Sequence, residues 1–134
     1  MVDEEAPSIT TAARWNADFP KWLKAYRVAA GAPFDAVVFD VDWRQPWQAT
    51  VAPGLRAVRG AGARAGIILD GTGPGASDAD AVAAYKRNIQ TVEASGLRFD
   101  LVIVANWTPH PSRNLPQSGP DTLTSVLAWY ESRR

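Results

Sequence analysis

Cysteine is absent, which removes disulfides, thiolate chemistry and cysteine metal sites from consideration. Histidine occurs once, at His110, so no pair of imidazoles is available to a metal. Neither sign of charge prevails: 14 basic and 14 acidic residues leave a formal net charge of zero. That balance provides no electrostatic footprint for nucleic acid or an anionic membrane. No apolar run approaches the ~20 residues of a membrane span. The acidic start, MVDEEAPS, lacks the apolar core of a signal peptide in the sequence as given. A soluble chain is expected, with its compartment left open.

What is present fits a folded protein. The 134 residues, 46% of them hydrophobic, suit a single domain, 1–134, with a core of its own. Six Trp are many for this length. The densest stretch is FDAVVFDVDW, residues 34–43, rich in β-branched and aromatic residues and fenced by Gly31, Pro33 and Pro46. Read as a strand with period two, it puts Asp40 and Asp42 on one face at its C-terminal end. Ionised carboxylates are costly to bury without partners, so this end is expected to open on solvent, a ligand or a cation.

Around that strand the pattern alternates. VDEEAP reads as a short first strand with Glu4 and Glu5 near its end, or as a loose arm. A helix from Asn16 or Asp18 to Ala30 carries Phe19, Trp22, Leu23 and Tyr26 as an apolar stripe, with Pro20 in its first turn and Gly31 as its stop. A second helix, 47–59, places Val51, Leu55 and Val58 inward, and Pro53 with Gly54 kinks it or delays its start. A buried strand, 63–70, ends on Asp70. Ser77 and Asp80 cap a helix over 78–95 that Gly96 ends, with Val82, Tyr85, Ile89 and Val92 on one face. A strand at 99–106, a long loop and a helix over 121–132 complete the chain.

The clear strands begin near 34, 64 and 99, a repeat of roughly 30–35 residues, the size of a βαβ unit. The pattern predicts an α/β fold: a (βα)4 half TIM barrel, a parallel sheet with helices on its outer face. A complete (β/α)8 barrel takes ~250 residues, about twice this chain.

In parallel α/β folds the functional groups sit at the C-terminal ends of the strands. Those ends hold Glu5, then Asp40, Asp42 and Trp43, then Asp70, then Asn106, Trp107 and His110; Trp47 belongs to the same face. Each acid or Asn has a plain alternative use in capping a helix or shaping a turn, though Asp40, within the predicted strand, has nothing to cap. Carboxylates beside aromatics are what glycoside chemistry employs, an acid for the leaving oxygen and a base or nucleophile opposite. Asp40 and Asp42 stand ~6–7 Å apart on one strand, too close along it to flank a bond. A working pair must therefore join strands. The same acids with His110 would serve Mg²⁺, Mn²⁺ or Zn²⁺ as an alternative, although no metal-ligand spacing is present and no cofactor is expected. GTGPGA, residues 71–76, matches a dinucleotide fingerprint, but Asn106 stands where the ribose-binding acid belongs.

The motifs FDVDW (39–43), IILDG (67–71) and ANWTPHPSRNLP (105–116), followed by DTLTSVLAWY, resemble the C-terminal half of bacterial (β/α)8 proteins of the glycoside hydrolase superfamily. The resemblance implies a carbohydrate-facing cleft lined by Asp40, Asp42, Trp43, Asp70, Trp107 and His110, and makes Glu5 a strand-end acid. It also places Asp70 at the seventh strand, where the large retaining clan carries a nucleophilic Glu, and leaves the fourth-strand acid outside this half. The expected function is glycosidase-like hydrolysis or carbohydrate binding. In the hydrolytic case Asp70 is nucleophile or base, Asp42 the acid, and Asp40 tunes both; Trp43, Trp47, Asn106, Trp107, His110 and Glu5 bind substrate. A non-catalytic scaffold and a metal-dependent hydrolase are the alternatives. A half-barrel leaves strand edges unpaired, so a homodimer completing an eight-stranded barrel is expected.

Overall fold

The computed structural model describes residues 2–5 (backbone only), 7, 10–71 and 77–133. Strands and helices alternate along it: β1 (Val2–Glu5), α1 (Ala12–Ala30), β2 (Ala36–Phe39), α2 (Gln48–Gly60), β3 (Arg64–Leu69), α3 (Asp78–Ser95), β4 (Leu101–Val104) and α4 (Leu123–Glu131). The strand order is β1-β2-β3-β4. Parallel register runs from Val2–Ala36 to Glu5–Phe39, and from Ala36–Arg64 to Phe39–Ile67.

The half-barrel expectation is corrected here. Among the described residues the register-matched parallel ladder holds three strands, β1, β2 and β3, and four helices accompany it, so the protein is a small α/β one and not a (βα)4 half-barrel. The physical reason lies in burial. Every residue of β2 is buried, and so is β3 after Arg64, whereas no residue of β4 is, and Ile103 is 42% exposed. FDLVIVAN has strand composition, yet only its middle takes a strand conformation. A dimer rebuilding an eight-stranded barrel presupposed the half-barrel, and loses its basis with it.

The chain groups into two compact units, Met1–Ile68 with Leu97–Ile103, and Leu69–Gly96 with Val104–Arg134. In the first unit, Thr11 caps α1 by accepting from Arg14 N at 3.3 Å, four residues or more before the expected start. Gly31 ends it at φ 72°. The earlier start leaves Pro20 well inside the helix instead of in its first turn. Trp15, Phe19 and Leu23, four apart, are buried. Trp22, expected in the core, is 37% exposed, because it sits one residue off that stripe. It stacks on Phe34 at 5.1 Å, and Tyr26 stacks on Phe34 as well.

Helix α2 buries Val51, Leu55 and Val58 as its spacing predicts. Pro53 lies inside it and has no N–H for the carbonyl four residues back, that of Ala49. Asn16 Nδ2 of α1 supplies the missing donor, 3.2 Å from Ala49 O. At the start of β4, the Asp100 carboxylate accepts from Ala65 N at 2.9 Å and meets Arg59 at 3.3 Å, which holds it below the usual carboxylate range.

In the second unit, Ser77 Oγ accepts from Asp80 N at 3.2 Å and donates to Asp80 Oδ2 at 2.7 Å, the reciprocal cap expected for α3. Gly96 ends that helix at φ 70°. Tyr85, Ile89 and Val126 are the fully buried residues shared by α3 and α4. Trp129 of α4 lies under Lys86 and Arg133, 5.5 and 4.6 Å from its ring centroid, and Arg133 reaches Glu93 at 2.7 Å.

Candidate functional site

Strand β2 ends at Phe39, so Asp40 and Asp42 lie beyond it and not on one strand face, as the alternation had placed them. The chain turns at once, with Gln45 N bonded to Asp42 O at 2.9 Å. Asp40 is half-buried and engaged. Asp42 Oδ1 accepts from Arg44 N at 3.1 Å and Nε at 2.8 Å, and Oδ2 from Arg44 Nη2 at 3.0 Å. This fork-shaped bond to the guanidinium holds the Asp42 carboxyl below its usual range. Such a carboxylate accepts hydrogen bonds and carries no proton to give.

Asp42 lines a cavity of about 290 Å³ with Val41, Gln45, Pro46, Trp47 and Thr50, and with Thr10 and Thr11 at the start of α1. Trp47 is only 4% exposed, so little of its ring is open to a ligand. Trp43 packs edge-on against it, centroids 5.6 Å apart, and its Nε1 is buried with no hydrogen-bond partner among the described residues. Glu5 ends β1 in register with Phe39. Its side chain lies outside the described residues, as do residues 72–76 of the GTGPGA loop.

The remaining expected residues belong to the second unit. Asp70 follows β3, is 5% exposed and is engaged, and its carbonyl accepts from Asn88 Nδ2 at 2.8 Å. Burial, with the Asp70 charge second, pushes the Tyr85 hydroxyl up to about 12. That hydroxyl donates to Ala105 O and so anchors the entry of the loop that follows β4. Asn106 Oδ1 accepts from Thr108 N and Thr108 Oγ1, each at 3.2 Å, while its Nδ2 donates to Pro111 O at 3.2 Å. The resulting short loop is closed on itself, and it raises Trp107 to 61% exposure.

Sequence reasoning missed the partner of His110. Asp78, at the first position of α3, meets His110 Nδ1 at 2.6 Å and accepts from Ser112 N at 2.8 Å and Ser112 Oγ at 2.7 Å. Asp78 shares the first turn of α3 with Asp80 and reads there as a partner of the helix dipole; only tertiary structure brings it 32 residues forward to the histidine. Among the described residues, no three His, Asp or Glu side chains gather as a metal requires.

Those bonds, the one to His110 foremost, hold Asp78 down at about 2, against an ordinary value of 3.8. A depressed carboxylate stabilises the fold fully above the ordinary value, and the contribution is lost as pH falls through the lower one. The thermal stability of the wild type over Asp78→Asn is therefore expected to shrink between about pH 5 and about pH 2. Melting curves followed by circular dichroism at each pH check this. A difference that stays constant across that range would contradict it.

No protein-family model matches the chain, and neither a curated protein nor a solved structure matches it. No helix among the described residues is long and apolar enough to cross a membrane.

Proposed function

We propose that this protein binds carbohydrate, and that the loop over 105–116 carries the site with Trp107 as its platform. The observation behind this reading is an indole 61% exposed on a loop whose polar groups bond to one another. The C–H face of a pyranose is flat and apolar and matches the face of an indole, while its hydroxyls need polar neighbours. Asn106 and Thr108 adjoin Trp107 in the chain, and His110 follows three residues after it. The resemblance of the strand-end motifs to the glycoside hydrolase superfamily supports the same ligand class. Binding is favoured over hydrolysis by the state of Asp42, the expected acid, which Arg44 holds ionised.

Titration with a panel of oligosaccharides, by calorimetry or affinity electrophoresis, tests the proposal. Trp107→Ala is expected to weaken binding about tenfold, or ~1.4 kcal/mol, with an unchanged circular dichroism spectrum. Equal affinity in the variant, or no binding of any sugar at millimolar concentration, would sink the idea.

A further inference from the structure

We propose that His110 Nε2 is a fixed hydrogen-bond acceptor for a hydroxyl of the bound sugar, with Asp78 as its positioning residue. This rests on the carbohydrate reading above and names the polar half of that site.

The geometry determines which ring nitrogen carries the proton. Asp78 Oδ1 receives the backbone N–H of Ser112 at 2.8 Å, and a backbone N–H can only donate. Oδ2 receives the Ser112 hydroxyl at 2.7 Å. A carboxylate so held, with its pKa near 2, is ionised at neutral pH and has nothing to donate. The 2.6 Å contact with His110 Nδ1 must then be an N–H of the imidazole pointing at the carboxylate. A neutral imidazole has one ring proton, so Nε2 is left with its lone pair.

That nitrogen belongs to a side chain 36% exposed, whereas the Asp78 side chain behind it is 19% exposed. His110 sits three residues after Trp107 in a loop that Asn106 closes onto Pro111. Platform and acceptor are thus presented by one braced segment. An acceptor with no proton to offer selects ligands that donate. Neutral, hydroxyl-rich sugars satisfy it, and anionic groups such as uronate carboxylates do not. The carboxylate's part is to fix the tautomer, as it does where a histidine must present one chosen nitrogen.

The chain has a single histidine, so its ring nitrogens can be read without assignment in long-range ¹H–¹⁵N correlation spectra. At about pH 8 the wild type is expected to show Nδ1 protonated and Nε2 bare. Adding the oligosaccharide that binds best should shift Nε2 and leave Nδ1 in place. Asp78→Ala is expected to let both tautomers appear and to weaken binding about tenfold. Asp78→Asn should largely rescue both, because its amide oxygen still accepts from Nδ1 and Ser112 N. A wild-type ring protonated on Nε2 overturns the inference and leaves the carbohydrate reading standing. So does an unmoved Nε2 signal with a sugar whose binding Trp107→Ala weakens. If no oligosaccharide binds, both fall together. The wild-type spectra decide the matter even if Asp78→Ala does not fold.

Discussion

Phe39→Ala is expected to lower the unfolding free energy by about 3–5 kcal/mol. Phe39 ends β2 with no exposed surface. Its ring meets Phe19 of α1 edge-on at 6.0 Å, and Phe19 in turn stacks on Trp15 at 4.4 Å. On the α2 side the ring lies so near Gly54 that a Cβ there would stand 3.1 Å from two of its carbons. One side chain therefore fills the space against both helices of the first unit, and its removal leaves a cavity the surrounding elements cannot close. The loss is a large share of the ~5–15 kcal/mol typical of a folded domain. Phe39→Leu should cost much less, since most of the volume remains. Urea denaturation followed by near-ultraviolet circular dichroism measures both. A loss under about 1 kcal/mol in the alanine variant would mean that this region relaxes freely and that the packing described is not what stabilises it.

Gly71→Ala is the second large effect, expected at about 1–3 kcal/mol. A Cβ at Gly71 would fall 2.5 and 2.7 Å from two ring carbons of Tyr85 and 3.1 Å from Ala81 O. The ring cannot swing aside cheaply: Tyr85 is fully buried, and its hydroxyl is tied to Ala105 O. Nor can the chain at Asp70 move easily, because Asn88 holds its carbonyl. The clash should be relieved in the double variant Gly71→Ala, Tyr85→Leu. Its loss of stability is expected to fall short of the sum of the two single losses, by a coupling of the size that contacting residues show, roughly 0.5–3 kcal/mol. Strictly additive losses would place the strain elsewhere. Since Tyr85 anchors Ala105, just ahead of Asn106 and Trp107, Gly71→Ala should also weaken oligosaccharide binding.

The helices were legible because their signals are local. The bounds of α3 follow from Ser77 and Gly96, and those of α2 from its apolar spacing, to within a residue. The start of α1 was misplaced, since Thr11 is as good a cap as Asn16 and only the fold chooses between them. Strands β2, β3 and β4 are shorter than the stretches that predicted them, because a ladder stops where its neighbour stops, whatever the composition beyond. Trp22 shows the same limit: a stripe four residues wide in sequence is narrower once the helix has a partner of definite shape.

By itself, the sequence determined an α/β alternation, most helix limits and the residues that gather after the strands, because capping, periodicity and turn chemistry act within a few residues. The tertiary structure decided which of those residues meet. It buried Trp47, lifted Trp107 into solvent and carried Asp78 to His110. It also decided that β4 remains half-exposed and that the regular ladder holds three strands. Contacts between residues tens of positions apart depend on the whole packing, and no local pattern in the chain encodes them.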